Sequence, residues 1–183
     1  MPTVVGLKQV SANLWEIPQP LGMFAGDLLQ RGKSYYRAFQ IVAEHDEPGL
    51  SYPTYFLLAH AIEVVLKSYL VATGTPKKAL GREPFKHDVG VIFSECEQRG
   101  LAVSDQLMKP LALGLAHINE SFDLRYPTAY ILSIAGPSHC IPAVDSLIEA
   151  VSAVVDQCAL KAFVKHQGQI AHLKGCKVRW SDD

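Results

Sequence analysis

Apolar residues recur at helical spacing along most of the chain, and this pattern predicts about five helices. In the first, over residues 24–45, one apolar stripe consists of Leu28, Tyr35, Phe39 and Val42. The second, over residues 51–72, is apolar on almost every side, which is typical of the central helix of a bundle. Further helices are predicted over 88–99, after Ser104 with a bend near Pro110, and from a start between 138 and 142 to about 166.

Capping residues and glycines mark the ends of these segments. Ser51 and Ser104 are expected N-caps, and Gly100 lies where a left-handed C-cap follows the third helix. Residues 130–134 fit either a short strand or a packed loop. We therefore predict an all-α, up-and-down helical bundle of about five helices with an irregular N-terminal lead-in. The expected division is an extended lead-in over 1–22 with at most a short strand, the bundle over 23–166 and a basic C-terminal tail over 167–183.

Composition and charge narrow the class of protein. The 183 residues contain 17 Lys+Arg and 18 Asp+Glu, so the formal net charge is -1 and strong DNA binding is not expected. The chain length fits one domain. The most apolar run, residues 55–66, is interrupted by His60 and Glu63, so we expect no membrane-spanning helix. Without a secretory signal pattern at the N-terminus, we expect a cytoplasmic protein.

The four cysteines do not form a metal or redox motif. Cys96, Cys140, Cys158 and Cys176 are far apart and form no C-x-x-C pair. We expect reduced thiols, with Cys96 and Cys158 as small core residues.

Two histidine–glutamate pairs offer ligands one helical turn apart: His60 with Glu63, and His117 with Glu120. If the pairs faced each other they would supply a metal site, because bundle cores accept imidazole and carboxylate ligands. The alternative is that Glu63 pairs with Lys67 at i, i+4 and both charges are neutralised on a largely buried helix. We favour the ion pair and expect neither a metal nor a cofactor.

Arg82 and His87 are separated by four residues, and such a pair can hold a phosphate and move a proton. That is the chemistry of metal-independent RNA cleavage. The pair lies in a proline- and glycine-rich loop, however, and spacing of this kind also arises by chance. The basic residues between Lys161 and Arg179 offer a modest anion-binding patch or a solvated helix end.

Three short motifs carry a resemblance to a known family: AHAIEVVLK over 59–67, KHDV over 86–89 and LRYP over 124–127. In this order they resemble the landmarks of HEPN-domain proteins, and the similarity extends over about residues 25–166. The resemblance implies an all-α bundle, frequent homodimers, a bacterial or archaeal cytoplasmic location and partners such as nucleotidyltransferases in toxin–antitoxin or defence systems.

Active ribonucleases of this family carry an arginine, four to six residues and a histidine near the start of the last helix. Here thirteen residues separate Arg125 from His139, so the motif is missing from its expected place. Arg82 and His87 match the spacing but lie at the family's H-D-L landmark. The resemblance therefore indicates a divergent member, and we assign no catalytic role to this pair.

These observations favour a binding protein over an enzyme. We expect a homodimer that binds a nucleotide, RNA or a partner protein in a stress, defence or toxin–antitoxin setting. The candidate ligand-binding residues are His60, Glu63, Lys67, Arg125 and Tyr126. Two alternatives stay open: a divergent metal-independent ribonuclease toxin that uses Arg82 and His87, and a purely structural dimeric interaction module.

Overall fold

The structure, a computed structural model, describes residues 6–45, 47, 49–120, 123–126, 134–173 and 175–181. Within these residues the helices are α1 (Leu21–Glu44), α2 (Ser51–Ala72), α3 (Val89–Gln98), α4 (Met108–Glu120) and α5 (Pro137–Ile170). A small sheet contains β1 (Lys8–Ser11), β2 (Leu14–Pro18) and β3 (Lys177–Ser181). The predicted all-α bundle of about five helices is confirmed.

Helix α2 is the centre of the bundle and contacts the other four helices. Leu58, Ile62, Val65, Leu66 and Leu70 on this helix are fully buried. Burying each such side chain contributes about 1.5–3 kcal/mol relative to exposure, so α2 supplies much of the hydrophobic stabilisation. Its length and composition alone would fit a membrane span, but 72% of that window is buried inside the protein. This is the pattern expected of a central bundle helix.

Helix α1 packs closely against α2 and α5 because glycines line its contact surfaces. A Cβ atom at Gly22 would lie 2.8 Å from both the Ala162 Cβ and the Cys158 carbonyl oxygen of α5. At Gly32, an added Cβ would lie 2.6 Å from Val65 Cγ2 of α2. The two helix pairs can approach this closely only where α1 carries no side chain.

The loop between α2 and α3 returns the chain along α2. Asp88 caps α3, since its Oδ1 accepts a hydrogen bond from the Val91 backbone N–H at 2.9 Å. At the other end, the Arg99 guanidinium donates to the Leu70 carbonyl at 3.4 Å. Gly100 has a φ of 93°, as the predicted left-handed C-cap requires. Helix α3 therefore starts beside Glu63 and ends beside Leu70.

The two termini of the described chain join in one sheet. β1 and β2 form an antiparallel hairpin, and β3 pairs with β2 in parallel, with Ile17 opposite Trp180. Ile17 is fully buried, and the Trp180 ring lies 5.1 Å from the ring of His166 on α5. The predicted lead-in thus contains two strands, and the predicted basic tail contains the end of α5 and a third strand.

Two predicted caps are wrong. Ser51 is the first residue of α2 and caps nothing, since Leu50 precedes the helix without a side-chain hydrogen bond. Ser104 instead shares a 2.8 Å hydrogen bond with Ser146 of α5, and α4 begins at Met108. Pro110 therefore falls in the first turn of α4, where proline is tolerated. The alternatives for residues 130–134 lie, apart from Ile134, outside the described residues.

The glycine contacts predict opposite effects for two Gly-to-Ala substitutions. Gly32→Ala should lower the free energy of unfolding by about 1–3 kcal/mol, because the new methyl group overlaps Val65. Gly114→Ala on α4 is the matched control, since an added Cβ there meets nothing within 4 Å. It should raise stability by about 0.5–1 kcal/mol. Urea denaturation of both variants measures the difference, and equal effects would contradict the close packing of α1 on α2.

Candidate functional site

A buried ion pair lies at the middle of α2. Glu63 is 5% exposed and Lys67, one turn later, is 9% exposed. Lys67 Nζ lies 2.6 Å from Glu63 Oε1 and also donates to the Lys86 carbonyl oxygen at 2.8 Å. The predicted i, i+4 ion pair is present, and the second hydrogen bond ties the loop before α3 to the central helix.

Two histidines face the same carboxylate from different elements. His87 Nδ1 lies 3.3 Å from Glu63 Oε1, and His60 Nδ1 lies 3.8 Å from Glu63 Oε2. The shorter contact favours the tautomer in which His87 carries its proton on Nδ1. Nε2 of His87 makes no hydrogen bond with the described residues, and the side chain is 39% exposed. His87 therefore offers a free ring nitrogen at the surface while Glu63 fixes its orientation.

The charge of Glu63 is stabilised despite its burial. Burial by itself raises the pKa of the Glu63 carboxyl from 4.5, but His60, Lys67 and His87 outweigh it and lower the pKa to about 2. The contact with His60 at 3.8 Å is longer than a hydrogen bond, so we regard its contribution as electrostatic. Glu63 is therefore ionised at neutral pH and holds Lys67 and His87 in place.

Aromatic side chains surround His60 on the other side of this cluster. Its ring packs edge-on against Tyr35 of α1 at 4.5 Å and is stacked on Phe56 at 6.1 Å. The Arg125 guanidinium carbon lies 5.4 Å from the centre of the Phe56 ring, a cation–π contact. Tyr126 is exposed. The structure thus brings His60, Arg125 and the Glu63–Lys67 pair together along α2.

A cleft of about 360 Å³ opens beside His87, between the start of α3 and the end of α4. Its polar lining consists of Glu83, Lys86, His87, Asp88, His117, Asn119 and Glu120. The volume falls within the range of small-molecule sites. Three carboxylates face one lysine and two histidines, so the cleft offers both donors and acceptors and carries a net negative charge while its histidines are neutral.

The weak catalytic candidates, Arg82 and His87, do not share the cleft. Arg82 is exposed, does not line the cleft and makes no side-chain hydrogen bond or ion pair with a described residue. Only His87 of this pair reaches the cleft. The loop directs His87 to Glu63 instead.

The two candidate metal pairs stay separate. His117 and Glu120 lie 3.8 Å apart on the exposed end of α4, with the same spacing as His60 and Glu63 on α2. Among the described residues, no group of three histidine, cysteine or acidic side chains is placed to hold a metal ion. The described cysteines are free thiols: Cys96 is buried, as predicted for a core residue, and Cys158 is half-buried.

Sequence reasoning missed several residues of the cleft. Lys86 and Asn119 line it, and the Asn119 amide also donates to the His87 carbonyl at 3.5 Å. The HD dipeptide of the KHDV motif was the one local signal for this end of the cleft. Asp88 caps α3, and His87 directly precedes that cap. The contribution of α4 had no local signal, because it depends on how α4 packs against α3.

A second cavity, of about 340 Å³, lies between α4 and the start of α5. Its walls are almost entirely apolar and include Leu111, Leu115 and Ile118, with His139 as the one titratable side chain besides Cys140. Ligand sites combine apolar area with several converging polar groups. The cleft at His87 meets this criterion better than the apolar cavity.

Comparison with known proteins adds no relative. Neither a family model, nor a curated protein, nor a solved structure matches the chain. The HEPN resemblance therefore stays a prediction from three short motifs.

Removing the buried carboxylate should destabilise the protein strongly. Glu63→Ala leaves Lys67 buried without a counter-charge and should lower the free energy of unfolding by about 3–5 kcal/mol. Glu97→Ala is the matched control: Glu97 pairs with Lys109 at 2.9 Å, but Lys109 is exposed and Glu97 is only half-buried. Its cost should be about 0–1 kcal/mol. Chemical denaturation measures both, and an effect of Glu63→Ala no larger than the control would contradict the burial of the pair.

The contribution of Glu63 should also depend on pH in a defined direction. Its folded pKa of about 2 lies below the ordinary value of 4.5, so the unfolded chain takes up the proton first as pH falls. The stabilisation is therefore complete above 4.5 and lost towards about 2. The stability difference between wild type and Glu63→Gln should be largest at neutral pH, on the order of 3 kcal/mol, and shrink in acid. A difference that is independent of pH would contradict this.

Proposed function

We propose that the protein binds a ribonucleotide in the cleft at His87, either as a free mononucleotide or at the end of an RNA strand. The observation that carries the proposal is the placement of His87. Its Nδ1 is held by the buried Glu63 carboxylate at 3.3 Å, and its Nε2 has no described partner at the wall of a cleft of about 360 Å³. A histidine fixed in this way presents Nε2 to a ligand in one orientation, as an acceptor while the ring is neutral and as a donor when it is protonated.

The charge balance of the cleft argues against a long polyanion, because three carboxylates outnumber Lys86, its one lysine. Lys86, His87 and His117 offer donors for a phosphate group. Glu83 and Glu120 offer acceptors for ribose hydroxyls or base amino groups, and the Asn119 amide is able to do both. Extended nucleic acid gains its affinity by neutralising many phosphates, which needs an excess of lysine and arginine.

The buried pair has a positioning role in this proposal. Lys67 holds the Lys86 carbonyl at 2.8 Å and Glu63 holds the His87 ring, so both cleft residues are fixed to α2 through their loop. Glu63 and Lys67 do not line the cleft. His60, Arg125 and Tyr126 lie outside its lining as well. Of the predicted ligand-binding residues, none touches the proposed ligand directly.

Calorimetric titration with the four ribonucleoside 5′-monophosphates tests the proposal, with inorganic phosphate and the free nucleosides as separate arms. We expect saturable binding of at least one nucleotide. Phosphate alone and nucleoside alone should each bind more weakly than that nucleotide, by about tenfold or more. Loss of a charged hydrogen bond costs about 1.5–3 kcal/mol, so His87→Gln should weaken binding by about tenfold or more.

Arg82→Ala is the matched control for His87→Gln, because both residues belong to the same loop and Arg82 lies outside the cleft. This control should bind as wild type does. Absence of saturable binding for every nucleotide, or equal affinity of wild type and His87→Gln, would contradict the proposed site.

Wild type, Arg82→Ala and His87→Ala distinguish binding from the ribonuclease alternative. The ribonuclease alternative assigns the cation beside the base to Arg82, and Arg82 does not join His87 at the cleft. We therefore expect no cleavage of labelled single-stranded RNA above background in a single-turnover assay with chelator. Cleavage that His87→Ala and Arg82→Ala both abolish, with both variants folded, would favour the toxin alternative instead.

A further inference from the structure

The outward face of α5 carries an exposed stripe of three apolar residues and two glutamines that no described residue covers. Five of its exposed residues alternate at spacings of four and three: Ala153, Gln157, Leu160, Val164 and Gln167. Leu160 is 63% exposed and Val164 is 62% exposed, among the highest values for large apolar side chains in the described protein. Alternation of four and three is the period at which a helix meets a second helix along a coiled-coil seam.

This face is opposite to the one that the bundle uses. Val151 and Val155 are fully buried, and the close contact of Gly22 with Ala162 lies on the same inner side. Nearer the start of α5, the Ser104–Ser146 hydrogen bond covers the outer face. The seam defined by the five exposed residues is therefore open from Ala153 to the last turns of the helix.

We propose that a second copy of this chain covers this seam, with the two α5 helices packed in parallel. Gln157 and Val164 then occupy the a positions of the heptad, and Ala153, Leu160 and Gln167 occupy the d positions. Within a parallel coiled coil, a β-branched residue at a with leucine at d, here Val164 and Leu160, favours two strands, and a polar residue at a, here Gln157, fixes the register. A twofold axis along the helices brings each of these residues opposite its own copy.

The flanking charges favour the second copy and the parallel orientation. Asp156 takes the g position and Lys161 the following e position, five residues later. In a parallel pair this g residue faces the e residue of the other helix, which gives two symmetric ion pairs. In an antiparallel pair, g positions face g positions and e positions face e positions. Asp156 would then lie on the same side as Phe163, which is also a g residue, and not opposite Lys161. Within one chain, Asp156 and Lys161 have no ion-pair partner among the described residues.

The test measures molecular mass by sedimentation over a concentration series. Wild type should reach twice the chain mass of 20.1 kDa at high concentration. Leu160→Glu and Asp156→Lys should each shift the equilibrium to the monomer. The double variant Asp156→Lys/Lys161→Asp should restore the dimer, because the reversed pair again matches between copies. Ile41→Glu, at another exposed apolar residue but on α1, is the control and should leave the mass unchanged.

Disulfide trapping tests the orientation in a chain whose Cys158 and Cys176 are replaced by serine. A parallel pair brings every seam residue onto its own copy, so Gln157→Cys and Val164→Cys should each form a disulfide-linked dimer. In an antiparallel pair, a residue lies opposite its own copy only where the twofold axis crosses the helices. At most one of the two cysteine variants would then form a disulfide-linked dimer. A monomeric wild type, a dimer unaffected by Leu160→Glu, failure of the charge swap to restore it, or trapping at a single position would each overturn the proposal.

Discussion

The burial of one carboxylate constrains the arrangement of the polar side of the bundle. Glu63 lies on the most apolar helix, where an unpaired charge would cost several kcal/mol. Lys67 and His87 reduce that cost, but Lys67 is itself buried and needs a second acceptor, which the Lys86 carbonyl supplies. The need to satisfy the pair therefore fixes the position of the loop before α3, and with it the start of that helix.

The cleft follows from the same constraint. Because the loop is held at Glu63, His87 and the capping residue Asp88 lie next to each other just before α3 begins. Both residues face the end of α4 across the cleft. The wall of the cleft is thus formed by a loop that rests on a buried ion pair, and the opposite wall by the polar end of a surface helix. A ligand that binds here meets side chains whose orientations are set before it arrives.

The sequence was sufficient for features that depend on local periodicity. The apolar surface of residues 51–72 predicted the central helix, and the i, i+4 spacing predicted the Glu63–Lys67 pair. Contacts between distant segments were not predictable in this way. The pairing of β2 with β3 joins residues that are far apart in the sequence, such as Leu14 and Lys177. Both strands are short, and their buried and exposed residues alternate only weakly. The His87–Glu63 contact and the cleft likewise depend on the path of a long loop, which no periodicity reports.

The most direct test of the buried ion pair is the pH titration of the Glu63 carboxyl carbon by NMR, with its resonance assigned through Glu63→Gln. The buried pair predicts that Glu63 stays ionised down to a midpoint near a pKa of about 2. A midpoint at the ordinary value of 4.5 would mean that the carboxyl is exposed and unpaired, and a higher one that it is buried without its cations. Either result would contradict the account.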